Sequence, residues 1–260
     1  MISNEMIYVI GPALLICSMI VLTHVPLGIE VLKRGIIFID LAIAQIAGLG
    51  LIATNFFFYQ PHPLLPQLVA LTCAILAGLF FYKVETKIPK QQEAIIGVTF
   101  ILAASLAILL LANHPSGGEE IRHLLSGQIL FVTWQDVAKH TPIYILILAV
   151  WFFKKEFRNN IGFYLLFALA VTSSVQLVGI YVVFASLILP ALAVINIRNP
   201  YKLGWLCGII SVIAGIFLAI FFDAPAGPLI VVSYVLTLSL IHISEPTRPR
   251  LISYAVFCLK

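Results

Sequence analysis

Charge is scarce in this sequence. Lysine and arginine number 15 and aspartate and glutamate 11, so that 10% of the 260 residues are charged, while 62% are hydrophobic and the mean hydropathy is +1.10. A soluble domain is about a quarter charged and about half apolar, so a water-soluble enzyme is excluded. The net charge of +4 is small and confined to short loops, which excludes nucleic acid as a partner and leaves the charge as a topology signal. Cysteine is sparse as well. Cys17, Cys73, Cys207 and Cys258 form no C-x-x-C pair, which argues against a disulfide framework or structural zinc. No G-x-x-x-x-G-K-[ST] loop occurs, and no connection is long enough for a nucleotide-binding domain, so an ATP-driven step would need a second chain. Neither an H-E-x-x-H, a paired-aspartate motif nor a Ser/His arrangement lies at membrane depth, which argues against an intramembrane hydrolase.

What the sequence has in abundance is long apolar runs. They cover about Met6 to Thr23, Gly35 to Tyr59, Leu64 to Tyr82, Ala94 to Ala112, Pro142 to Phe153, Ile161 to Ile197, Leu203 to Phe222 and Pro228 onward. The first lacks a basic start and a small-residue cleavage site and is expected to be a span rather than a cleaved signal. Ile161 to Ile197 is too long for one crossing, and polar Thr172, Ser173, Ser174 and Gln176 predict a turn between Ser173 and Gly179. The expected fold is therefore all-α, a polytopic membrane helix bundle of about nine transmembrane helices. Lys33 and Arg34, Lys83, Lys87 and Lys90, Lys154, Lys155 and Arg158, and Arg198 and Lys202 then all fall on the cytoplasmic side, with the N-terminus outside. A single crossing in Ile161 to Ile197 would put the Arg198 loop on the wrong side.

After Leu240 the pattern breaks into His242, Glu245, Pro246, Arg248, Pro249 and Arg250 where a span should continue. Leu238 to Arg248 resembles the translation of a transposon-based sequencing-library adaptor, and Ile252 to Leu259 the flow-cell primer sequence that follows it. We read residues 1–237 as one transmembrane domain and 238–260 as a non-native tail.

Pro26-Leu27-Gly28, Asp40 to Gly48, Glu93 to Gly97, Leu125 to Leu130, Gln176 to Ala191 and Asp223 to Pro228 follow one another between Met6 and Thr237. In this order they resemble the membrane subunits of ABC-type divalent-metal importers for zinc, manganese and iron. Pro26-Leu27-Gly28 leading to Lys33-Arg34 is similar to the family's first helix, and Asp40 to Gly48 to its G-D-A-x-S-H helix. Glu93-Ala-Ile-Ile-Gly97 resembles its acidic-x-x-I-G helix start, and Leu125-Ser-Gly127-Gln128-Ile-Leu its L-x-G-x-[IL] external segment. Gln176 to Ala191 resembles the V-G-x-x-L-V-x-A-x-x-x-x-P-A helix, and Asp223-Ala-Pro225-Ala-Gly227-Pro228 the D-x-P-x-G-P turn. The resemblance implies a permease subunit in the plasma membrane (bacterial inner membrane), a homodimer surrounded by lipid. It would work with a cytoplasmic ABC ATPase and an extracytoplasmic metal-binding protein, holding no permanent cofactor and carrying a divalent metal ion as substrate, zinc first. It would not itself be an enzyme.

Two departures from the family pattern concern function. Aligned through Gly48 and Leu49, the family's path histidine falls on Gln45 and its aspartate on Leu41, leaving Asp40 displaced by one position. An Asp and His at i, i+4 share a helix face, whereas Asp40 and Gln45 are five apart and offer a carboxylate and an amide. The transport path is expected to include Asp40, as the metal ligand, with Gln45, Glu30 and Gln176. A carboxylate at full bilayer depth costs about 2.5 to 3.5 kcal/mol, so Asp40 needs a functional reason or an ion pair with Arg34. The second departure is the ATPase-coupling loop, shortened to Lys154, Lys155, Glu156, Phe157 and Arg158 before Asn159 and Asn160.

Other polar residues have plainer readings. His24 reads as a satisfied bundle histidine, and Glu30 equally as a counter-ion beside Lys33-Arg34. His114, Glu119, Glu120 and His123 read as a solvated loop that docks a binding protein, although Glu120 and His123 are spaced to hold a cation. Lys87, Lys90 and Glu93 read as an interfacial loop facing anionic lipid or the ATPase. The rival from another class is a self-sufficient proton-coupled secondary transporter using Asp40 and Asp223, against which stands the lack of self-similarity between the halves.

Overall fold

The computed structural model describes residues 4–58, 61–62, 64–112, 114, 116–158, 160–195, 197 and 199–244. Among the described residues nine α-helices run in chain order: α1 (Asn4–Arg34), α2 (Ile39–Phe57), α3 (Leu64–Lys87), α4 (Gln92–Leu111), α5 (Gly117–Ser126), α6 (Trp134–Phe153), α7 (Asn160–Val194), α8 (Pro200–Phe222) and α9 (Ala226–Ser244). Seven of them, all but α5 and α9, are long and apolar enough to cross a membrane. Their outward faces carry Leu76, Phe80, Val98, Ile101, Leu109, Ile145, Phe153 and Phe221 exposed, a surface that suits hydrocarbon and not water. The bundle is that of a multi-pass membrane protein.

α1 is longer than its hydropathy predicts. It passes His24 and Pro26 because Val25, Leu27, Ile29 and Val31 are buried in the core and His24 finds hydrogen-bond partners inside. α6 starts eight residues before the apolar run at Pro142. Thr133 and Asp136 form a reciprocal capping box, Thr133 Oγ1 accepting from the Asp136 amide at 3.3 Å, which opens the helix on polar residues. After Lys154, which caps α6, Lys155–Arg158 forms a single 3-10 turn.

α7 is two helices joined at Gly179, whose backbone (φ 79°, ψ 165°) is not helical. The buried imidazole of His24 lies 3.0 Å from Ser174 Oγ through Nε2 and 2.7 Å from Ser186 Oγ through Nδ1. Twelve residues of straight helix would separate those serines by about 18 Å, far beyond the reach of one imidazole, so the chain reverses at Gly179. Residues 160–178 and 180–194 are thus the arms of a helical hairpin, the division that the charge pattern requires. The break falls at the C-terminal edge of the expected Ser173 to Gly179 turn, whose hydroxyl residues stay helical and point inward. Arg198 and residues 245–260, including most of the tail read as non-native, lie outside the described residues, and α9 continues through 238–244.

Arg34, Glu85 and Arg158 meet at one end of the bundle, called here the basic end. The other end holds α5, the Gly179 reversal and the Asp223–Gly227 turn, where Asp223 closes α8 in a left-handed conformation (φ 50°).

Candidate functional site

α2 is packed on α3, α4 and α7 and carries the polar residues of the expected path along its length. Asp40 stands in its first turn, 1% exposed. The amides of Asp40 and Leu41 face its carboxylate, yet neither oxygen has a hydrogen-bond partner among the described residues. Arg34, the expected ion-pair partner, is engaged elsewhere. Its Nε is 3.1 Å from Glu30 Oε1, its Nη1 is 3.1 Å from Glu85 Oε1, its Nη2 donates to the Arg158 carbonyl at 3.0 Å, and its guanidinium covers the Phe163 ring at 4.3 Å. Glu30 is therefore held in an ion-pair network at the basic end. Glu93, at the start of α4, turns toward α2 rather than toward the surface. Its Oε1 accepts from the Phe38 amide at 3.2 Å, two residues before Asp40, and its Oε2 is buried without a partner.

Gln45, also buried, lies one turn before Gly48, where Leu124 of α5 rests; a Cβ at Gly48 would stand 2.8 Å from both Leu124 methyls. Beyond this contact, toward the other end, opens a cavity of about 420 Å³ between α2, α3, α5 and α7, whose polar wall is Asn55, Gln67, Glu120, His123, Gln128 and Gln176. A second cavity of about 200 Å³ between α3, α6 and α7 shares Gln67 and Gln176 and adds His140, whose Nδ1 is 2.8 Å from Ser173 Oγ. Gln176 thus sits on the wall between the two cavities, remote from Asp40 and Glu30 at the basic end. Gln67 and His140 escaped the sequence reading because a lone amide or imidazole in an apolar helix carries no motif.

Glu120 and His123 both line the larger cavity but turn to different partners. Ser116 Oγ donates to Glu120 Oε1 at 3.1 Å, whereas His123 Nε2 lies 3.4 Å from Glu119 Oε1 and its ring accepts from Gln128 Nε2. Among the described residues no group of three or more His, Cys, Asp or Glu converges as a metal centre would require. His24 is satisfied on both ring nitrogens, and Ser174 is further linked to Tyr144 Oη at 3.1 Å. At the end of α6 and in the turn after it, Lys154, Lys155 and Glu156 are exposed, while Arg158 folds back to donate through Nε to the Trp151 carbonyl at 2.8 Å.

Comparison with known proteins matches residues 6–160 and 158–244 to the model of the ABC 3 transport family. The manganese transport system membrane protein MntC of Halalkalibacterium halodurans is 26% identical over 54% of this chain and 56% of its own. A probable metal transport system membrane protein of Chlamydia trachomatis is 28% identical over 65% and 66%. The high-affinity zinc uptake system membrane protein ZnuB of Haemophilus influenzae is 22% identical over 87% and 94%. The matched region thus spans less than two thirds of the first two relatives' length and nearly all of the third. Among solved structures, PsaBC from Streptococcus pneumoniae in complex with Fab has the same fold, with a TM-score of 0.73 over 92% of each chain at 20% identity.

Proposed function

The chain belongs to the ABC 3 transport family, and we propose that it is the membrane permease subunit of an ATP-driven divalent-metal import system, not an enzyme in its own right. The observation that carries this reading is the family match over residues 6–244, which takes in every helix that lines the two cavities. The names of the relatives cover manganese, zinc and metal transport without distinction, and the sequence alone puts zinc first. The metal is cargo, and no permanent cofactor is required.

In this reading the basic end faces the cytoplasm, where a separate ABC ATPase docks on the exposed Lys154, Lys155 and Glu156, and Arg158 ties their turn to the bundle. An extracytoplasmic metal-binding protein delivers the ion at the opposite end, over α5 with its surface Glu119 and Arg122. Two copies of the chain make the functional permease in the plasma membrane. The cavities with Gln67 and Gln176 form the outer path, Leu124 over Gly48 narrows it, and Gln45 and Asp40 lie beyond, toward the cytoplasm. Alternation between outward and inward access is driven by ATP binding on the partner chain.

Metal uptake by cells carrying the chain, its ATPase and its binding protein tests the reading. Inactivating the ATPase should abolish uptake, and collapsing the proton gradient at constant ATP should not. The reverse result would replace the ABC permease by a proton-coupled carrier.

A further inference from the structure

The smaller of the two cavities, about 200 Å³ between α3, α6 and α7, is lined differently from the larger one. Leu64, Leu68 and Leu71 come from α3, and His140, Thr172 and Ser173 from α6 and α7. Among the described residues no Asp, Glu, Lys or Arg lines it, whereas Glu120 stands on the wall of the larger cavity. A leucine wall offers no donor to a metal ion, and an unpaired charge in such a space is costly. The ligand that fits is neutral and has an apolar body. His140 Nδ1 is 2.8 Å from Ser173 Oγ, and its Nε2 has no hydrogen-bond partner among the described residues. A second polar group beside the cavity is also unpaired. A helical threonine commonly gives its hydroxyl to the carbonyl one turn back, as Thr23, Thr54, Thr72, Thr99 and Thr141 do here. Thr172 does not: it is 4% exposed, and its Oγ1 has no partner among the described residues.

We propose that this cavity is a binding site for a neutral, hydroxyl-bearing amphiphile that enters from the bilayer. Its volume sets the size of the occupant. An apolar protein cavity of about 150 Å³ holds a benzene ring, so this one takes roughly eight to ten non-hydrogen atoms. A hydroxyl both donates and accepts, so it pairs with His140 Nε2 in either tautomer, and with the Gln176 amide or the unpaired Thr172 hydroxyl on the same wall. The aliphatic body then lies on Leu64, Leu68 and Leu71. Leu64 and Leu68, 57% and 59% exposed, form the mouth. That mouth opens within the membrane. Trp134, half exposed at the start of α6, suits the interface, and His140 lies about 9 Å further along the helix, toward the hydrocarbon. Because Gln67 and Gln176 line both cavities, the site is a side chamber of the proposed outer path. The proposal goes beyond the transport reading, since binding needs neither cargo nor ATPase.

The test uses the full chain in phosphatidylcholine nanodiscs, photolabelled with a diazirine-bearing octanol and mapped by mass spectrometry. Labelling should saturate and concentrate on residues 64–71 and 140–143. Excess octan-1-ol should displace the probe, and octane, which lacks the hydroxyl, should not. Leu68→Trp fills the mouth and should lower labelling at least about fivefold, whereas Leu76→Trp, on the same helix and 60% exposed, should leave it unchanged. His140→Leu should weaken labelling by the octanol probe but not by the matching hydrocarbon probe. Labelling that never saturates, or that marks Leu76 and Leu146 as strongly as Leu68, would reduce binding to partition into lipid and refute the site. Displacement by octane as effective as by octanol would refute recognition of the hydroxyl, and wild-type labelling of monodisperse Leu68→Trp protein would refute the location. Failure of the transport reading looks different: the probe bound and displaced as expected, but no ATPase-dependent metal uptake in cells.

Discussion

Gly179 and Gly127 lie backbone against backbone, each with a positive φ (79° and 69°), and a Cβ added to either would overlap the other's peptide. Gly127 ends α5 and Gly179 turns the α7 hairpin, so this contact seats the short amphipathic helix on the tip of the hairpin. Neighbouring Gly227 meets the Ser126 carbonyl in the same way, which adds the turn before α9 to the junction. Three glycine-bearing motifs far apart in the sequence serve one joint.

Gly179→Ala should therefore be among the most damaging single-methyl additions in the chain. The left-handed backbone alone costs about 1–3 kcal/mol for a residue with a side chain, and the overlap with Gly127 adds to it. Gly118→Ala, facing open space, is the matched control. Denaturation in detergent should show a large loss for the first and almost none for the second. Equal stability of the two would mean that the junction yields easily.

The second prediction concerns the proton order around His24. Ser186 donates to the Val183 carbonyl at 2.9 Å, so its oxygen must accept from His24 Nδ1–H. Nε2 then accepts from Ser174, whose oxygen is free to accept from Tyr144 Oη. This order requires the Nδ1–H tautomer. Nitrogen NMR of labelled protein should find it, and the Nε2–H tautomer would refute the order. His24→Ala should cost about 1–3 kcal/mol by leaving buried hydroxyls unpaired, and Ser174→Ala and Ser186→Ala about 1 kcal/mol each.

The third prediction is topological. In a background with the native cysteines replaced, Gly118→Cys should react with an impermeant thiol reagent applied from outside, and Glu156→Cys only after permeabilisation. Both positions are exposed, so burial cannot mask either. Labelling of both from outside, or of position 156 alone, would reverse or discard the expected sidedness.

How much of this was legible in the sequence depends on the separation of the interacting residues. The helical bundle follows from the apolar runs, seven of whose helices are long and apolar enough to cross a membrane, and the break in Ile161 to Ile197 is readable from its length and its polar residues. α5 and the start of α6 are too polar for a hydropathy reading, although Thr133 and Asp136 at i, i+3 are a legible capping signal. The site divides along the same line. Asp40 and Gln45 stand out because polar residues are rare in α2, but the approach of Glu93 to Phe38 and the pairing of Arg34 with Glu85 span about fifty residues and need the packed bundle.

The last prediction turns on that pairing. Arg34 is only 14% exposed and joins α1, α3 and the Arg158 turn and covers Phe163 of α7, so it links the segment proposed to meet the ATPase with the helices around the proposed path. Arg34→Gln leaves Glu30 and Glu85 half-buried without their cation, and breaking such a pair from one side costs up to about 3–5 kcal/mol when burial is complete, less here. Arg34→Lys keeps the charge but lacks the planar fork that reaches two carboxylates and a carbonyl together, so it should restore little. If Arg34 also transmits motion from the Arg158 turn, both variants should lower metal uptake more than they lower the amount of folded protein in the membrane, with ATP hydrolysis by the associated ATPase persisting. Uptake that falls only in proportion to protein level would confine Arg34 to holding the fold, and full rescue by Arg34→Lys would show that charge alone suffices.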